Sequence, residues 1–226
     1  MQSVIPEYIG QYIVDRIRSY GIRVKPSTAL KVVEDHGSKV KITSEENENF
    51  FVDKAVLCLG IHPATKYIHS DQIDIHRNSL GVMTDDNLKA CNDVFAAGDI
   101  LNVDDGIYNR RIEHHNNAVI SGMIAGENMV GKNVLFVPDT SFWSDIGSDI
   151  SIEGLGIVDN NLNTIGVWSE HEGKKKGFIC YEHEKVVVGI LCLNLPNRLK
   201  AVREVLDGQR SVDDISEIAV KLKIQE

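Results

Sequence analysis

The chain has 226 residues, of which 42% are apolar and 25% charged, a composition typical of a globular protein that buries a core. Its formal net charge of -9 argues against electrostatic binding to nucleic acid or anionic lipid, because such binding needs clustered lysines and arginines. The basic cluster Lys174 to Lys176 is too short to reverse this balance. No apolar run is long enough to span a membrane, and the first residues carry no signal-peptide or transit-peptide pattern. We therefore expect no membrane span and no targeting segment in this chain.

The four cysteines show neither a CxxC pair nor a spacing with histidine that suits zinc. They are Cys58, Cys91, Cys180 and Cys192. All but Cys91 lie in apolar runs typical of strands, and we interpret those three as small buried hydrophobic residues. We predict no metal site.

The first quarter of the chain predicts a helix followed by β-strands. In "EYIGQYIVDRIRSYG" apolar side chains recur every three or four residues, and Gly21 is placed to end the helix. The runs "IRVKP", "ALKVVED", "KVKITSE" and "FFVDKAVLCLG" are rich in β-forming residues and are mostly separated by polar turns. We expect a small antiparallel meander and then a buried strand, residues 55–59, inside a mostly parallel sheet.

The stretch "DVFAAGDI" predicts a short strand, residues 94–97, followed by the acidic residue Asp99. A carboxylate at the carboxyl end of a parallel strand faces the crevice where open α/β sheets bind ligands, and it can accept hydrogen bonds from ribose or ribitol hydroxyls. Further on, "AVISGMIAGENM" predicts a tightly packed helix. Its start, near Glu113, His114 and His115, offers unpaired N–H groups to an electron-rich ring or a phosphate. On spacing alone, Asp99 could equally cap a turn.

From about Pro138 the sequence predicts a domain of strands followed by helices. The β-type runs are Ile157 with Val158 and residues 164–168, 177–181 and 186–193. Two helical stretches follow, and Ser211 with Asp214 resembles a capping box before "ISEIAVKLKI".

Several of these motifs resemble those of a known family. Thr84, a polar stretch and then "DVFAAGD" resemble the second flavin fingerprint of glutathione-reductase-like flavoproteins, and "AVLCLGIHPAT" is similar to the segment that closes their NAD domain. The stretches "RRIEHHNNAVISGMIAGENM", "FWSDIG", "IEGLGIVD" and "KVVVGI" together resemble the apoptosis-inducing-factor family of mitochondrial FAD-dependent NADH oxidoreductases. The resemblance runs almost from end to end of this chain and covers the later part of the family's length.

The resemblance implies a mixed α/β and α+β fold. Part of it would be a two-dinucleotide-domain, glutathione-reductase-like fold that binds FAD and NAD(P), and the rest a C-terminal α+β domain of the dimerisation type. Residues 1–63 would close the NAD-binding domain, residues 64–137 would form the second segment of the FAD-binding domain, and residues 138–226 the C-terminal domain. The implied activity is oxidation of NADH through FAD, with a role in apoptosis and a location in the mitochondrial intermembrane space.

The resemblance also implies roles for individual residues. Those placed at FAD are Asp99 on the ribityl chain and His114, His115 and Trp143 beside the ring. Those placed at NAD(H) are Gly60, Glu113, Glu153 and Asn194, with His114 also reaching the nicotinamide side. No residue would act as an acid or base, because the hydride chemistry belongs to the cofactors; His114 and Trp143 would flank the flavin.

Each of these roles has a plainer alternative. A histidine pair at a helix start is often a surface or core contact, Trp143 beside Phe142 could be core packing, and Glu153 could be solvated. Arg110 and Arg111 could hold a phosphate or form a solvated face. The joint occurrence of these residues in order and spacing favours the functional interpretation.

The chain departs from the family in having no GxGxxG turn, since "GLGIVD" offers Gly154 and Gly156 but no third glycine and opens no helix. Both phosphate-binding turns would then lie outside this chain. Because helix starts at those turns hold the pyrophosphates, we predict that this chain alone binds FAD weakly or not at all.

A rival hypothesis is a non-catalytic, partner-binding module built on the C-terminal α+β domain, which the family resemblance links to import of small disulfide-bearing proteins in the intermembrane space. Such a partner could add a strand at residues 185–193, although a buried central strand is the other interpretation of that run. NADH and, by resemblance, a second copy of the chain on NADH reduction are the other expected partners. Nucleic-acid binding is a third hypothesis that the charge balance disfavours.

Overall fold

The structure is a computed structural model and describes residues 4–224. The described chain divides into two compact units, residues 11–61 on the one hand and residues 4–10 with 62–224 on the other. No helix in the described part has the length and apolarity of a membrane-spanning segment.

Helix α1, Glu7–Ser19, forms where the apolar periodicity predicts it. It buries Ile9 and Ile13, and the chain leaves it at Gly21, whose φ of +79° suits a residue without a side chain. The next stretch, "IRVKP", has no regular structure, so the short strand predicted there is wrong.

An antiparallel meander follows, in the predicted order. Its strands are β1 (Leu30–His36), β2 (Lys39–Ser44) and β3 (Asn49–Val52). At the β1–β2 turn Gly37 has a φ of +77°, and its N–H donates to a carboxylate oxygen of Asp35.

The buried strand predicted at residues 55–59 does not form. Val56 is 86% exposed and Leu59 82% exposed, and Cys58, which we expected to be buried, is exposed as well. A strand of a parallel sheet needs hydrogen-bonding neighbours, and no strand within residues 4–224 pairs with this segment. Apolar composition alone was therefore not enough to predict a strand here.

Residues 62–137 form two small hairpins and one long helix. The hairpin strands are β4 (Lys89–Cys91) with β5 (Val94–Phe95), and β6 (Asn102–Asp104) with β7 (Asn109–Arg111). Helix α2, His115–Met129, begins where it was predicted and packs around a core that includes Val82, Leu101 and Ala125.

The parallel strand predicted at residues 94–97 is wrong in length and direction. β5 has only two residues and runs antiparallel to β4, and Asp99 follows in a single 3-10 turn, Gly98–Ile100. The parallel pairing in this segment, as far as it is described, is one bridge between Val82 and Leu101. Within the described residues, the parallel sheet whose edge was predicted to present Asp99 is therefore represented by this one bridge.

The C-terminal part is one antiparallel sheet of five strands. They are β8 (Phe142–Ile146), β9 (Ile150–Gly156), β10 (Asn163–His171), β11 (Lys174–His183) and β12 (Val186–Leu193), in the spatial order β10, β11, β12, β9, β8. Because β12 lies between β11 and β9, the idea that residues 185–193 present an edge is wrong, and the edges are β8 and β10. The strand predicted at Ile157 and Val158 is also wrong, since β9 ends at Gly156, where φ is +85°.

The central strands β11 and β12 are buried on both faces. Helices α3 (Leu199–Asp207) and α4 (Ile215–Lys221) pack on the face that carries Phe178, Cys180 and Cys192. On another side the hydroxyl of Tyr181 donates to the carbonyl of Val4 at 2.6 Å, so the beginning of the chain lies against the sheet.

Ser211 caps a 3-10 turn, Val212–Asp214, by accepting from the N–H of Asp213 at 3.2 Å. α4 starts only after that turn, so the predicted cap is one turn further from the helix than the capping-box spacing indicated.

Candidate flavin site

Asp99 sits on a turn that a buried serine fixes to helix α2. Gly98 has a φ of +75°, and its N–H donates to Oγ of Ser121 at 2.9 Å. The same hydroxyl donates to the carbonyl of Asn117 at 2.6 Å, and Ser121 is fully buried. The carboxylate of Asp99 remains exposed beside this turn.

Arg111 ties the turn to the approach of α2. Its side chain is 12% exposed; Nε donates to the carbonyl of Ser79 at 2.8 Å, one terminal nitrogen donates to the carbonyl of Asp99 at 3.0 Å, and the other pairs with Glu113 at 2.5 Å. A guanidinium suits this task because it presents several donors in a fixed plane. Since Arg111 is ion-paired inside the protein, the interpretation of a solvated face does not hold for it.

Arg110 is neutralised in a similar way. Its Nε lies 2.6 Å from Oδ2 of Asp105, whose side chain is 6% exposed. Both arginines therefore have carboxylate partners within the protein before any phosphate is considered.

His114 and Trp143 form the aromatic centre of the site. Their ring centroids are 4.4 Å apart at an interplanar angle of 84°, an edge-to-face arrangement. The backbone N–H of Trp143 donates to Nε2 of His114 at 3.4 Å, while Nδ1 is buried without a partner among the described residues. Nε2 must then be unprotonated. Burial lowers the pKa of His114, against the opposite influence of the Asp139 carboxylate.

A cavity of about 310 Å³ opens beside this pair. Its lining joins the ends of β7 and β9 to the start of β8 and includes Arg110, Glu113, His114, Trp143 and Gly156. Trp143 is 47% exposed, so a large aromatic face is open to a ligand. His115 is exposed on the first turn of α2.

Glu153 lies directly opposite Trp143, on the neighbouring strand β9. Its carboxylate accepts hydrogen bonds from the N–H groups of Asn197 at 3.1 Å and Arg198 at 3.3 Å, so it also fixes the chain before α3. Glu153 is thus the cross-strand neighbour of Trp143, and its carboxylate already serves to fix the chain before α3.

Asn194 and Gly60 do not line this cavity. Asn194 accepts from the N–H of Ser151 and donates to the carbonyl of Lys175, both at 2.8 Å, and it lines a separate cavity of about 490 Å³. Gly60, with a φ of +83°, is an exposed residue of the unit formed by residues 11–61.

Sequence reasoning missed the residues that hold the site together. Ser121 and Asn117 look like ordinary small and polar helix positions, and their partners lie 3 to 23 residues away. Gly154 has a packing role, since a Cβ there would fall 2.3 Å from the Phe142 ring. A glycine opposite an aromatic residue was the available signal, but the pairing register is needed to see it.

Two family models match the sequence. The first 122 residues match the model described as pyridine nucleotide-disulphide oxidoreductase, and residues 125–176 match the model described as apoptosis-inducing factor, mitochondrion-associated, C-term. The break between them falls inside α2.

Two curated relatives match nearly the whole chain. A putative apoptosis-inducing factor 1, mitochondrial, of Drosophila melanogaster is 26% identical over 99% of this chain and 37% of its own length. The apoptosis-inducing factor 1, mitochondrial, of Dictyostelium discoideum is 28% identical over 96% of this chain and 43% of its own length. The chain thus spans about two fifths of the length of these relatives.

Among solved structures, a FAD-dependent pyridine nucleotide-disulphide oxidoreductase from Desulfovibrio vulgaris shares the fold. It superposes with a TM-score of 0.79 at 17% identity, over 99% of this chain and 61% of that one. This confirms the fold class expected from the sequence, and the matched families confirm the resemblance drawn there. The chain belongs to the pyridine nucleotide-disulphide oxidoreductase family, and its residues 125–176 are similar to the C-terminal region of apoptosis-inducing factors.

Proposed function

We propose that this chain carries the flavin-ring end of a mitochondrial enzyme that oxidises NADH through FAD and takes part in apoptosis. The observation that supports it most is the His114–Trp143 pair, which borders an aromatic cavity near the turn that presents Asp99. Membership of an oxidoreductase family and relatives named as mitochondrial apoptosis-inducing factors agree with this proposal. Placement in the intermembrane space and a homodimer on NADH reduction belong to the same proposal.

The residues present fit the ring end of a flavin. A buried imidazole nitrogen without a partner, an open indole face and an exposed carboxylate after a positive-φ glycine are features that a polar aromatic ligand can use. We assign Asp99, His114, His115 and Trp143 to FAD. To NAD(H) we assign Gly60, Glu113, Glu153 and Asn194.

The protein's own groups bind, orient and exclude water. Asp99 would accept hydrogen bonds from ribityl hydroxyls, and Arg111 would keep it at a fixed distance from Glu113. Trp143 would shield the nicotinamide side of the ring from solvent. A neutral His114 would hold Trp143 in position by accepting its backbone N–H. When bound, the flavin supplies the acceptor for the hydride of NADH.

The domain assignment of the sequence stays within this proposal. Residues 1–63 close an NAD-binding domain, residues 64–137 belong to the FAD-binding domain and residues 138–226 form the C-terminal domain. The phosphate-binding turns would come from sequence outside this chain, as Gly154 and Gly156 lie within strand β9 and open no helix.

Flavin titration of the purified chain tests the proposal. Of the two outcomes that the sequence predicts, weak binding or none, the ring-end site favours weak but saturable binding of FAD, followed as a change in flavin fluorescence. We expect this binding to weaken about tenfold in Asp99→Asn and at least as much in Trp143→Ala, because each removes a ligand contact. Asp93→Asn is the matched control, since Asp93 is an exposed carboxylate of the same segment. Equal FAD binding in all four proteins, or no saturable binding in the parent chain, would contradict the proposal.

A further inference from the structure

Ser121 is the one fully buried hydroxyl that contacts the Asp99 turn among the described residues. It lies on the second turn of α2, on the face that meets the Gly98–Ile100 turn. Its oxygen accepts from the Gly98 N–H at 2.9 Å and, as a donor, reaches the carbonyl of Asn117 at 2.6 Å. Both hydrogen-bonding roles of this hydroxyl are therefore used inside the protein.

The turn needs such support because its first residue has an unusual backbone conformation. Gly98 has a φ of +75°, which leaves its N–H outside any strand ladder. A buried N–H without an acceptor is costly, so the serine oxygen compensates for the missing ladder partner. This N–H belongs to the Ala97–Gly98 peptide, so the bond fixes the start of the turn from which the next residue, Asp99, projects.

The first two turns of α2 also fix the other walls of the site. Asn117, fully buried, donates to the carbonyl of Ile112 at 3.3 Å and accepts from the N–H of Asp139 at 3.3 Å. Ser121 hydrogen-bonds to the backbone of the same Asn117. One stretch of helix thus positions the Asp99 turn, the end of β7 and the chain that leads to β8.

We propose that Ser121 is a positioning residue for Asp99, and that the hydroxyl sets the direction of this carboxylate toward the ribityl hydroxyls of a bound flavin. This inference rests on the proposed function for the identity of the ligand. Because Ser121 is fully buried, it would act through the Gly98 N–H and not by touching the ligand itself.

The first test measures amide hydrogen exchange of Gly98 in the ligand-free chain. In Ser121→Ala the N–H loses its acceptor, and we expect its exchange to become about fivefold faster or more. The matched control is Ser44→Ala, because Ser44 is also fully buried and its oxygen also accepts a backbone N–H, from Glu48 at 3.1 Å. Ser44→Ala should leave the Gly98 exchange rate unchanged.

The second test is a double-mutant cycle on the FAD dissociation constant. Ser121→Ala should weaken FAD binding about three- to tenfold, and it should weaken binding little further once Asp99 is already Asn, since it acts through Asp99. A purely structural role would reduce stability but leave the two effects on binding independent. The dissociation constant should be unchanged in Ser44→Ala.

The outcomes separate the two proposals. Unchanged Gly98 exchange in Ser121→Ala, or multiplicative effects of Ser121→Ala and Asp99→Asn in a chain that binds FAD, overturns the role of Ser121 alone. If the parent chain shows no saturable FAD binding, the proposed function fails, and the role of Ser121 toward a ligand fails with it.

Discussion

Two apolar runs of this chain have similar sequences, but only one of them forms a buried strand. Residues 186–193, "VVVGILCL", form the central strand β12, in which Ile190 and Leu191 are fully buried. Residues 55–59, "AVLCL", form no strand, and Val56 and Leu59 are more than 80% exposed. An apolar run becomes a strand only when neighbours satisfy its backbone, which β11 and β9 do for β12.

The largest contrast we expect between the two regions is in thiol reactivity. Cys58 is exposed, whereas Cys180 and Cys192 are buried in the sheet, where desolvation raises the pKa of each thiol to about 12. A thiol reagent at neutral pH should label Cys58 about a thousandfold faster or more, because the buried pair reacts only when the sheet opens. Peptide mass spectrometry measures the labelling rate of each cysteine. Comparable rates for Cys58 and the two sheet cysteines would show that the sheet does not bury Cys180 and Cys192.

Truncating core side chains should show the next largest difference. Phe178→Ala removes a fully buried ring and should lower the free energy of unfolding by about 3–5 kcal/mol. Leu59→Ala, at an 82% exposed position, should change it by no more than about 0.5 kcal/mol. Calorimetric unfolding of both variants checks the difference, which equal shifts would refute.

A smaller effect is expected where the start of the chain meets the sheet. Tyr181→Phe removes the hydroxyl that donates to the Val4 carbonyl, and should cost about 1 kcal/mol of unfolding free energy. Tyr67→Phe is a suitable control, since Tyr67 is 70% exposed. Identical melting of the two variants would mean that the Val4 contact contributes nothing.

The smallest effect concerns the pH dependence of stability. Burial lowers the folded-state pKa of His114 below its ordinary value of 6.5, so the unfolded chain binds this proton more readily. The stabilising contribution of a neutral His114 is therefore complete above pH 6.5 and is lost as the pH falls from there toward the folded pKa. His114→Gln should flatten the loss of stability between pH 7.5 and 5.5, while His115→Gln, at an exposed position, should not. If stability depends on pH in the same way in His114→Gln as in the parent chain, the lowered pKa of His114 is disproved.

The two regions also show how far sequence reasoning reaches. Helix α1, the meander and strand β12 follow from local periodicity and turn residues, which each segment carries in itself. The fate of residues 55–59 and the central position of β12 depend on which strands are neighbours, and composition does not encode that. For the same reason the spacing did not show that β5 would pair antiparallel.

The site divides in a similar way. His114 and Trp143 were predicted as site residues from the family resemblance. The structure places their ring centroids 4.4 Å apart although the two residues are 29 positions apart in sequence. Their roles toward a cofactor stay predictions. Asn117 and Ser121 escaped notice because their hydrogen bonds go to backbone groups, which no side-chain motif reveals. Arg111 was noticed only as a phosphate ligand or a solvated residue, and its bonds to two backbone carbonyls were not foreseen.

The most direct test of the central claim is an absorbance spectrum of the purified chain with one equivalent of FAD, before and after gel filtration, and then with NADH under anaerobic conditions. A chain that holds only the ring end of the site should perturb the flavin spectrum in the mixture and lose the flavin on the column. Stoichiometric flavin that survives gel filtration and bleaches with NADH would contradict the account, because it would place a complete phosphate-binding site within these 226 residues.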